Sequence, residues 1–166
     1  RLCRDWSSDV CSSDLEDPAP GEEDAVPVLS LAAPVDKLKK PVEGAITSPF
    51  GFKWSKTYQD YRWHHGVGIA STQGTPVVAA YAGRVLSIVE QDPEWGCLVT
   101  IDHGSGWKSV YANITMVSVK AGQTIAEGKQ IGQVGPNPPA LGSNGPELYF
   151  ALYEGAESVD PTHMFK

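Results

Sequence analysis

Trp63-His64-His65-Gly66-Val67-Gly68-Ile69-Ala70 and Gly145-Pro146-Glu147-Leu148-Tyr149-Phe150 are the stretches from which the fold is read. Each runs from polar or turn-forming residues into a short apolar segment, the pattern of a brief strand entered through a tight turn. Working outward from them, the texture repeats. From Val42 onward, short apolar runs alternate with Gly, Pro, Asn and Asp, and no stretch carries a helical stripe over three turns. This predicts an all-β domain with strands at Gly44–Thr47, Val67–Ala70, Pro76–Ala79, Gly83–Glu90, Cys97–Asp102, Trp107–Ile114, Gln130–Val134 and Glu147–Tyr153. Two segments echo each other. Gly74 to Val85 and Gly122 to Gly132 each read as a short strand, a glycine turn and a second strand. Such pairs occur in ordinary hairpins and in barrel-sandwich hybrids.

Charge and composition exclude several classes. The 166-residue chain carries a net charge of −7. Much of this lies in Glu16, Asp17, Glu22, Glu23 and Asp24, whereas the region from Pro41 has 8 basic and 11 acidic residues. No basic patch serves a nucleic-acid backbone. No apolar stretch approaches the ~20 residues of a membrane span. Residues 16–40 are rich in Pro, Glu, Asp and Ala and read as a disordered linker. Asp5-Trp6-Ser7-Ser8-Asp9-Val10-Cys11-Ser12-Ser13-Asp14-Leu15 resembles a translated sequencing adapter, so residues 1–15 are set aside from the fold. Cys97 is then the one relevant cysteine. It lies in the apolar run Trp95-Gly96-Cys97-Leu98-Val99 and reads as a buried packing residue rather than a nucleophile.

An ordered series of segments across residues 41–166 resembles the lysostaphin/LytM family of zinc endopeptidases. Thr47-Ser48-Pro49-Phe50-Gly51 matches the opening strand, and His64 to Ala70 the first metal segment. Gly74-Thr75-Pro76-Val77 and Gly83-Arg84-Val85 follow in order. Ile101 to Gly106 resembles the family's I-x-H-G-x-G turn, Tyr111-Ala112-Asn113-Ile114 its Y-x-H-L, Gly122 to Gly135 its glycine hairpin and Asp160-Pro161 its closing D-P. The resemblance implies a LytM-type barrel-sandwich hybrid with an antiparallel sheet. Tyr58 to Arg62 and the Tyr111–Ile114 segment are similar in texture to LytM-like sporulation and engulfment proteins of endospore formers.

The family's chemistry rests on the patterns H-x-G-x-D and G-P-H-x-H-F. A hydrolytic zinc takes about three protein ligands and leaves one position for water. The resemblance puts those ligands at His64, Gly68 and Tyr149, and the two proton-handling histidines at Asn113 and Glu147. Only His64 keeps its type. Gly68 has no side chain, a phenol with a pKa of about 10 is a poor ligand near neutral pH, and Asn113 cannot exchange protons. Replacement at Gly68, Asn113, Glu147 and Tyr149 while the frame persists implies no metal ligands, no catalytic residues and no cofactor. His65, adjacent to His64, points to the opposite face of its strand. Asp60 or Glu147 swinging towards His64 is the remaining route to a weak metal site.

Trp54, Tyr58, Tyr61 and Trp63 cluster just before the first metal segment, where the family walls its substrate groove, and are candidate groove-binding residues. The resemblance thus implies a catalytically degenerate domain that binds, scaffolds or regulates in the bacterial cell envelope, outside the cytoplasmic membrane. Its partner would be peptidoglycan peptide or glycan, or another envelope protein, with any membrane anchor upstream of this fragment. One alternative is an active peptidoglycan endopeptidase using zinc with unusual ligands. A carrier domain presenting Lys129 is another, though Gly128-Lys129-Gln130 does not match a carrier motif. The Asn113-Ile114-Thr115 glycosylation sequon falls inside a predicted strand and reads as chance. His103 and His163 read as structural and surface residues.

Overall fold

The computed structural model describes Val35 and residues 37–55, 59–138, 141 and 145–166. The adapter-like segment and the first part of the linker lie outside the described residues. The described residues form twelve strands and a closing 3-10 turn. These are β1 (Ile46–Ser48), β2 (Gly51–Ser55), β3 (Asp60–His64), β4 (Gly66–Ala70), β5 (Pro76–Val78), β6 (Gly83–Asp92), β7 (Gly96–Gly104), β8 (Trp107–Thr115), β9 (Thr124–Ile125), β10 (Gln130–Val134), β11 (Glu147–Glu154) and β12 (Glu157–Val159).

Ten strands form one sheet along the path β1-β4-β11-β8-β7-β6-β9, with β10 joining β5 and β8 and with β12 on β11, while β2 and β3 pair as a separate hairpin. All pairings between these strands are antiparallel. The eight expected strands all occur with end shifts of a few residues. The β2–β3 hairpin and β12 were not expected, whereas β9 is the short strand read at the start of Gly122–Gly132, though it pairs with β6 rather than with β10. The hairpin does carry period-2 alternation, Phe52-Lys53-Trp54-Ser55 against Asp60-Tyr61-Arg62-Trp63-His64, and it escaped because its aromatics read as a cluster rather than as alternate strand positions.

The core is filled by Ile69, Ile101, Tyr111, Ile131, Leu148, Phe150 and Leu152. Burying such side chains stabilises the fold by about 1.5–3 kcal/mol each. Tyr111 and Phe150 meet across the β8–β11 pairing with ring centroids 5.1 Å apart. β4 lies between β1 and β11, and Gly66 through Ile69 are all buried. Glycine at 66 is a packing requirement, since a Cβ there would stand 2.4 Å from the Phe150 carbonyl oxygen.

The linker expectation needs correcting at its end. Val35 is 1% and Leu38 0% exposed. The Leu38 N–H donates to the Met164 carbonyl (2.7 Å), the Lys39 N–H to that of Ala80 (2.9 Å) and the Lys166 N–H to that of Leu38 (2.8 Å). Two apolar residues in an otherwise polar segment suffice to seat it against the C-terminal strand end. The folded domain therefore includes residues before Pro41. At the other end, the Asp160 carboxylate accepts from the Thr162 N–H (2.9 Å) and caps the turn Pro161–His163, which gives the Asp-Pro pair its structural role.

His103 is structural. It is fully buried in β7, with Nδ1 2.9 Å from the Ala82 carbonyl oxygen and Nε2 2.7 Å from Ser109 Oγ. The carbonyl can only accept, so Nδ1 carries the proton and Nε2 accepts from Ser109. The Tyr111 hydroxyl accepts from the Ala80 N–H (2.9 Å), and burial pushes this phenol up to about 12. The network fastens β7 and β8 to the connection between β5 and β6.

Burial holds the His103 imidazole below its ordinary value, against the opposing pull of the Ala82 carbonyl and Asp102. The unfolded chain takes up a proton near pH 6.5 that the folded chain refuses. The resulting stability is present above that pH and is lost as pH falls below it, by up to about 1.4 kcal/mol per pH unit. Urea unfolding across pH 5 to 8 is expected to show this slope. The His103→Ala variant should lose that part of it and be less stable at pH 7.5 by about 2–4 kcal/mol.

Candidate functional site

The positions singled out by sequence converge on adjoining strands. In the β4–β11–β8 strip Tyr149 stands opposite Gly68 on one side and Ala112 on the other, and Glu147 stands opposite Ala70. Asn113 follows Ala112 with its backbone at φ 64°, in the left-handed region that Asn tolerates better than most residues. A register shift accompanies it, because Leu98 pairs with Ala112 and Cys97 with Ile114. Asn113 is 2% exposed, and its Nδ2 donates to the Glu147 carbonyl oxygen (2.7 Å) and the Gly135 carbonyl oxygen (3.2 Å). Its amide is thus engaged in holding β11 and the strand end after β10, and the sequon is sequestered.

Glu147 occupies the space that a side chain at position 68 would need. A Cβ on Gly68 would lie 2.8 Å from Glu147 Oε2 and 2.9 Å from Ser48 Cβ. Glu147 is 2% exposed, and its carboxyl is hydrogen-bonded to the Thr47 hydroxyl. Burial pushes this carboxyl above its usual range, with the Thr47 hydrogen bond and the Lys53 charge pulling the other way. Lys53 reaches in from β2. Its Nζ donates to Ser48 Oγ (2.8 Å) and to the Thr47 carbonyl oxygen (3.2 Å). The site thus holds a half-buried cation whose charge acts on the Glu147 carboxyl, the two linked through Thr47 rather than paired directly.

His64 ends β3 and is half-buried opposite Gly51. Burial keeps its imidazole below the ordinary value, and the charges of Lys53 and His65 act in the same direction. His65 points elsewhere, as strand alternation requires, with Nδ1 3.0 Å from Ser158 Oγ. Asp60 is engaged by Arg62 at 3.0 Å in an exposed pair and does not turn towards His64. Tyr149 stacks on Trp95 with ring centroids 4.5 Å apart, and burial raises its phenol well above the ordinary value. Among the described residues no three His, Cys, Asp or Glu side chains converge to hold a metal ion. The donor set does not suit zinc. Gly68 offers no side-chain donor, burial keeps Tyr149 a neutral phenol, and the Lys53 charge already acts on both His64 and Glu147.

Lys53, Thr47, Ser48 and Trp95 belong to this site and were not identified from sequence as its members. Thr47 and Ser48 lie in a recognised segment, but nothing in that segment indicates a carboxyl partner 100 residues away. Lys53 carries no motif, and only the hairpin register brings it to β1.

The aromatic candidates sit differently from the expectation. In the hairpin Phe52 pairs with Trp63 and Trp54 with Tyr61, so these four rings share one face. Lys53, Arg62 and His64 belong to the other. The rings pack edge to face, at 4.9 Å for Phe52–Trp63 and 5.1 Å for Trp54–Tyr61, and Trp63 leans on Phe50 at 5.6 Å. Phe52 is 71% exposed and Tyr61 69%. The aromatic face is therefore turned away from the His64–Lys53 side rather than lining it. Tyr58 lies outside the described residues.

Comparison with known proteins agrees with this frame. The profile of Peptidase family M23 matches residues 62–161, and the chain belongs to that family. It is 33% identical over 137 residues to the cell division protein DipM of Caulobacter vibrioides, a match covering 79% of this chain and 21% of DipM. It is 29% identical over 131 residues to the murein hydrolase activator EnvC of Escherichia coli, covering 79% of this chain and 29% of EnvC. The chain thus spans less than a third of either relative. A putative M23 peptidase from Pseudomonas aeruginosa superposes with a TM-score of 0.64 at 30% identity, over 78% of this chain and 50% of that one. The SpoIIQ–SpoIIIAH pore-forming complex contains a chain of the same fold, with a TM-score of 0.68 at 20% identity over 80% of this chain and 93% of that one. Lys129 stands in the turn before β10, where its N–H donates to the Ala126 carbonyl (3.1 Å), and family membership leaves the carrier alternative without support.

The fit between positions 68 and 147 is directly testable. Gly68→Asp is expected to destabilise the chain by about 2–4 kcal/mol, because it crowds Ser48 and sets a second carboxylate against a buried one. Adding Glu147→His should recover part of that loss, with a coupling of at least about 1 kcal/mol in a double-mutant cycle followed by urea unfolding. Simple addition of the two single effects would show that the positions do not share this space.

Proposed function

We propose that this chain is a binding and regulatory member of the M23 family that works outside the cytoplasmic membrane without zinc hydrolysis. The observation that carries the reading is the carboxyl of Glu147 seated in the space above Gly68, with the Lys53 ammonium beside it. A zinc peptidase needs an open coordination position at a dication. Here the corresponding place is filled by a self-satisfied polar cluster. Loss of one ligand alone would leave a damaged enzyme, whereas a cluster with its own hydrogen bonds is a different solution for the same strands. The name of one relative, a murein hydrolase activator, supports a role in controlling wall remodelling.

In this reading the partner is peptidoglycan or another envelope protein. The face of Phe52, Trp54, Tyr61 and Trp63 is the contact surface. Four aromatic rings with little cover form the kind of patch that monomeric proteins seldom expose without use. Such rings supply large contact area at low cost in side-chain entropy.

Zinc content of the purified full chain is the first test. The wild-type chain is expected to bind no stoichiometric zinc and to release no fragments from peptidoglycan. A variant carrying Lys53→Ala, Gly68→Asp, Asn113→His, Glu147→His and Tyr149→His is expected to gain zinc. Stoichiometric zinc in the wild type, with chelator-sensitive digestion that disappears in His64→Ala, would establish the endopeptidase alternative instead. Trp54→Ala with Tyr61→Ala should weaken co-sedimentation with peptidoglycan, or capture of an envelope partner, by at least about tenfold.

A further inference from the structure

β6 lies near the end of the long-strand path of the sheet, and most of its outer edge has no strand neighbour among the described residues. On the inner side it pairs with β7 from Arg84 to Asp92. On the outer side β9 covers only Gly83 and Arg84, and the turn before it exchanges bonds with Val85, whose N–H donates to Gln123 (2.8 Å) and whose carbonyl accepts from Gly122 (2.7 Å). From Leu86 to Asp92, no described strand pairs with the outer edge. Shifts in register bracket the stretch, and between them Ser87, Ile88 and Val89 pair regularly with Thr100, Val99 and Leu98. Leu86 is 47% and Val89 48% exposed. An edge with free N–H and carbonyl groups and aliphatic side chains is a template for one more strand.

The charges along this edge select the strand. Arg84, exposed, stands at its start. Glu90, Asp92 and Glu94 stand at its end, and none of them is ion-paired among the described residues. We propose that the occupant is a second copy of this chain, docked antiparallel along β6 about a two-fold axis near Ile88 and Val89. Antiparallel docking brings the Arg84 end of each copy to the acidic end of the other, and two-fold symmetry makes the contact twice. A parallel copy would set Glu90 and Asp92 against their equivalents. The exposed aliphatic residues Leu86 and Val89 of both copies gather around the axis, where cross-strand pairs contribute most. The interface lies on β6, and its existence does not depend on whether the His64 side of the molecule hydrolyses anything.

Sedimentation velocity of the full chain over a concentration series tests this. A reversible monomer–dimer equilibrium is expected, weakened by salt because the end contacts are ionic. Val89→Lys should raise the dimer dissociation constant by at least about tenfold, since it places like charges at the axis. Arg84→Glu and Glu94→Arg should each weaken the dimer, and the double variant should recover most of the loss, because about an axis at Val89 position 84 of one copy faces position 94 of the other and the exchanged charges again meet. Circular dichroism and thermal melting of each variant confirm that the fold is retained. A chain that stays monomeric throughout overturns the proposal, as does a dimer indifferent to Val89→Lys and to the charge exchange. Capture of an extended peptide of another protein by a β6 edge that shows no self-association would also overturn it.

Discussion

Close packing between β4 and β11 is the constraint on which the site depends. β4 is buried along Gly66–Ile69 because it has a strand on each side and the core below, and it keeps glycine where β11 comes nearest. Gly66 leaves room for the Phe150 carbonyl, and Gly68 leaves room for the Glu147 carboxyl. Once a carboxyl lies over Gly68, the rest of the site follows electrostatically. A buried carboxyl requires hydrogen bonds or a nearby cation. Thr47 supplies the first and Lys53 the second. Lys53 is in turn held by Ser48 and the Thr47 carbonyl, which fastens the hairpin to β1.

The stability of the fold lies away from the His64–Glu147 site. Small zinc domains unfold without their metal because they have little other core. Here Tyr111, Phe150, Leu148 and Leu152 fill a core between strands, and His103 ties β7 to the β5–β6 connection. Neither feature includes the positions equivalent to ligands. Those positions lie along the end of the β4–β11–β8 strip, where one polar set can replace another without altering the packing below.

This division also determines what was legible in the sequence. The all-β architecture and the central strands could be read because period-2 burial and turn residues report on backbone geometry directly, whereas the strands on either side of the two glycine turns, β5 with β6 and β9 with β10, pair with other strands and not with each other. The histidine of the Ile101–Gly106 turn read as structural, and it is. Substitution at Gly68, Asn113, Glu147 and Tyr149 could be seen residue by residue, but not that two of the substitutions fill one volume. That relation crosses from β4 to β11 and depends on side-chain reach, which spacing along a chain does not encode. Lys53 was invisible for the same reason. The aromatic cluster was visible as composition, yet which face it occupies follows only from the pairing of Phe52 with Trp63 and Trp54 with Tyr61. Val35 and Leu38 were read as linker because a short apolar pair among Pro and charged residues gives no period.

The shared volume at positions 68 and 147 bears on how such a site could revert. An aspartate at 68 with Glu147 in place places two carboxyls in one buried space. A histidine at 147 with Gly68 in place removes the carboxyl that Thr47 and Lys53 surround, and leaves an ammonium beside an imidazole. Each single step towards a metal site therefore costs stability before any metal can bind, and zinc can offset that cost only when several ligands are present together. The cluster of Glu147, Thr47, Ser48 and Lys53 is held by its own hydrogen bonds. It is a local minimum that the packing of β4 against β11 makes hard to leave by single substitutions, and it leaves the hairpin and the sheet edges free to serve contacts of another kind.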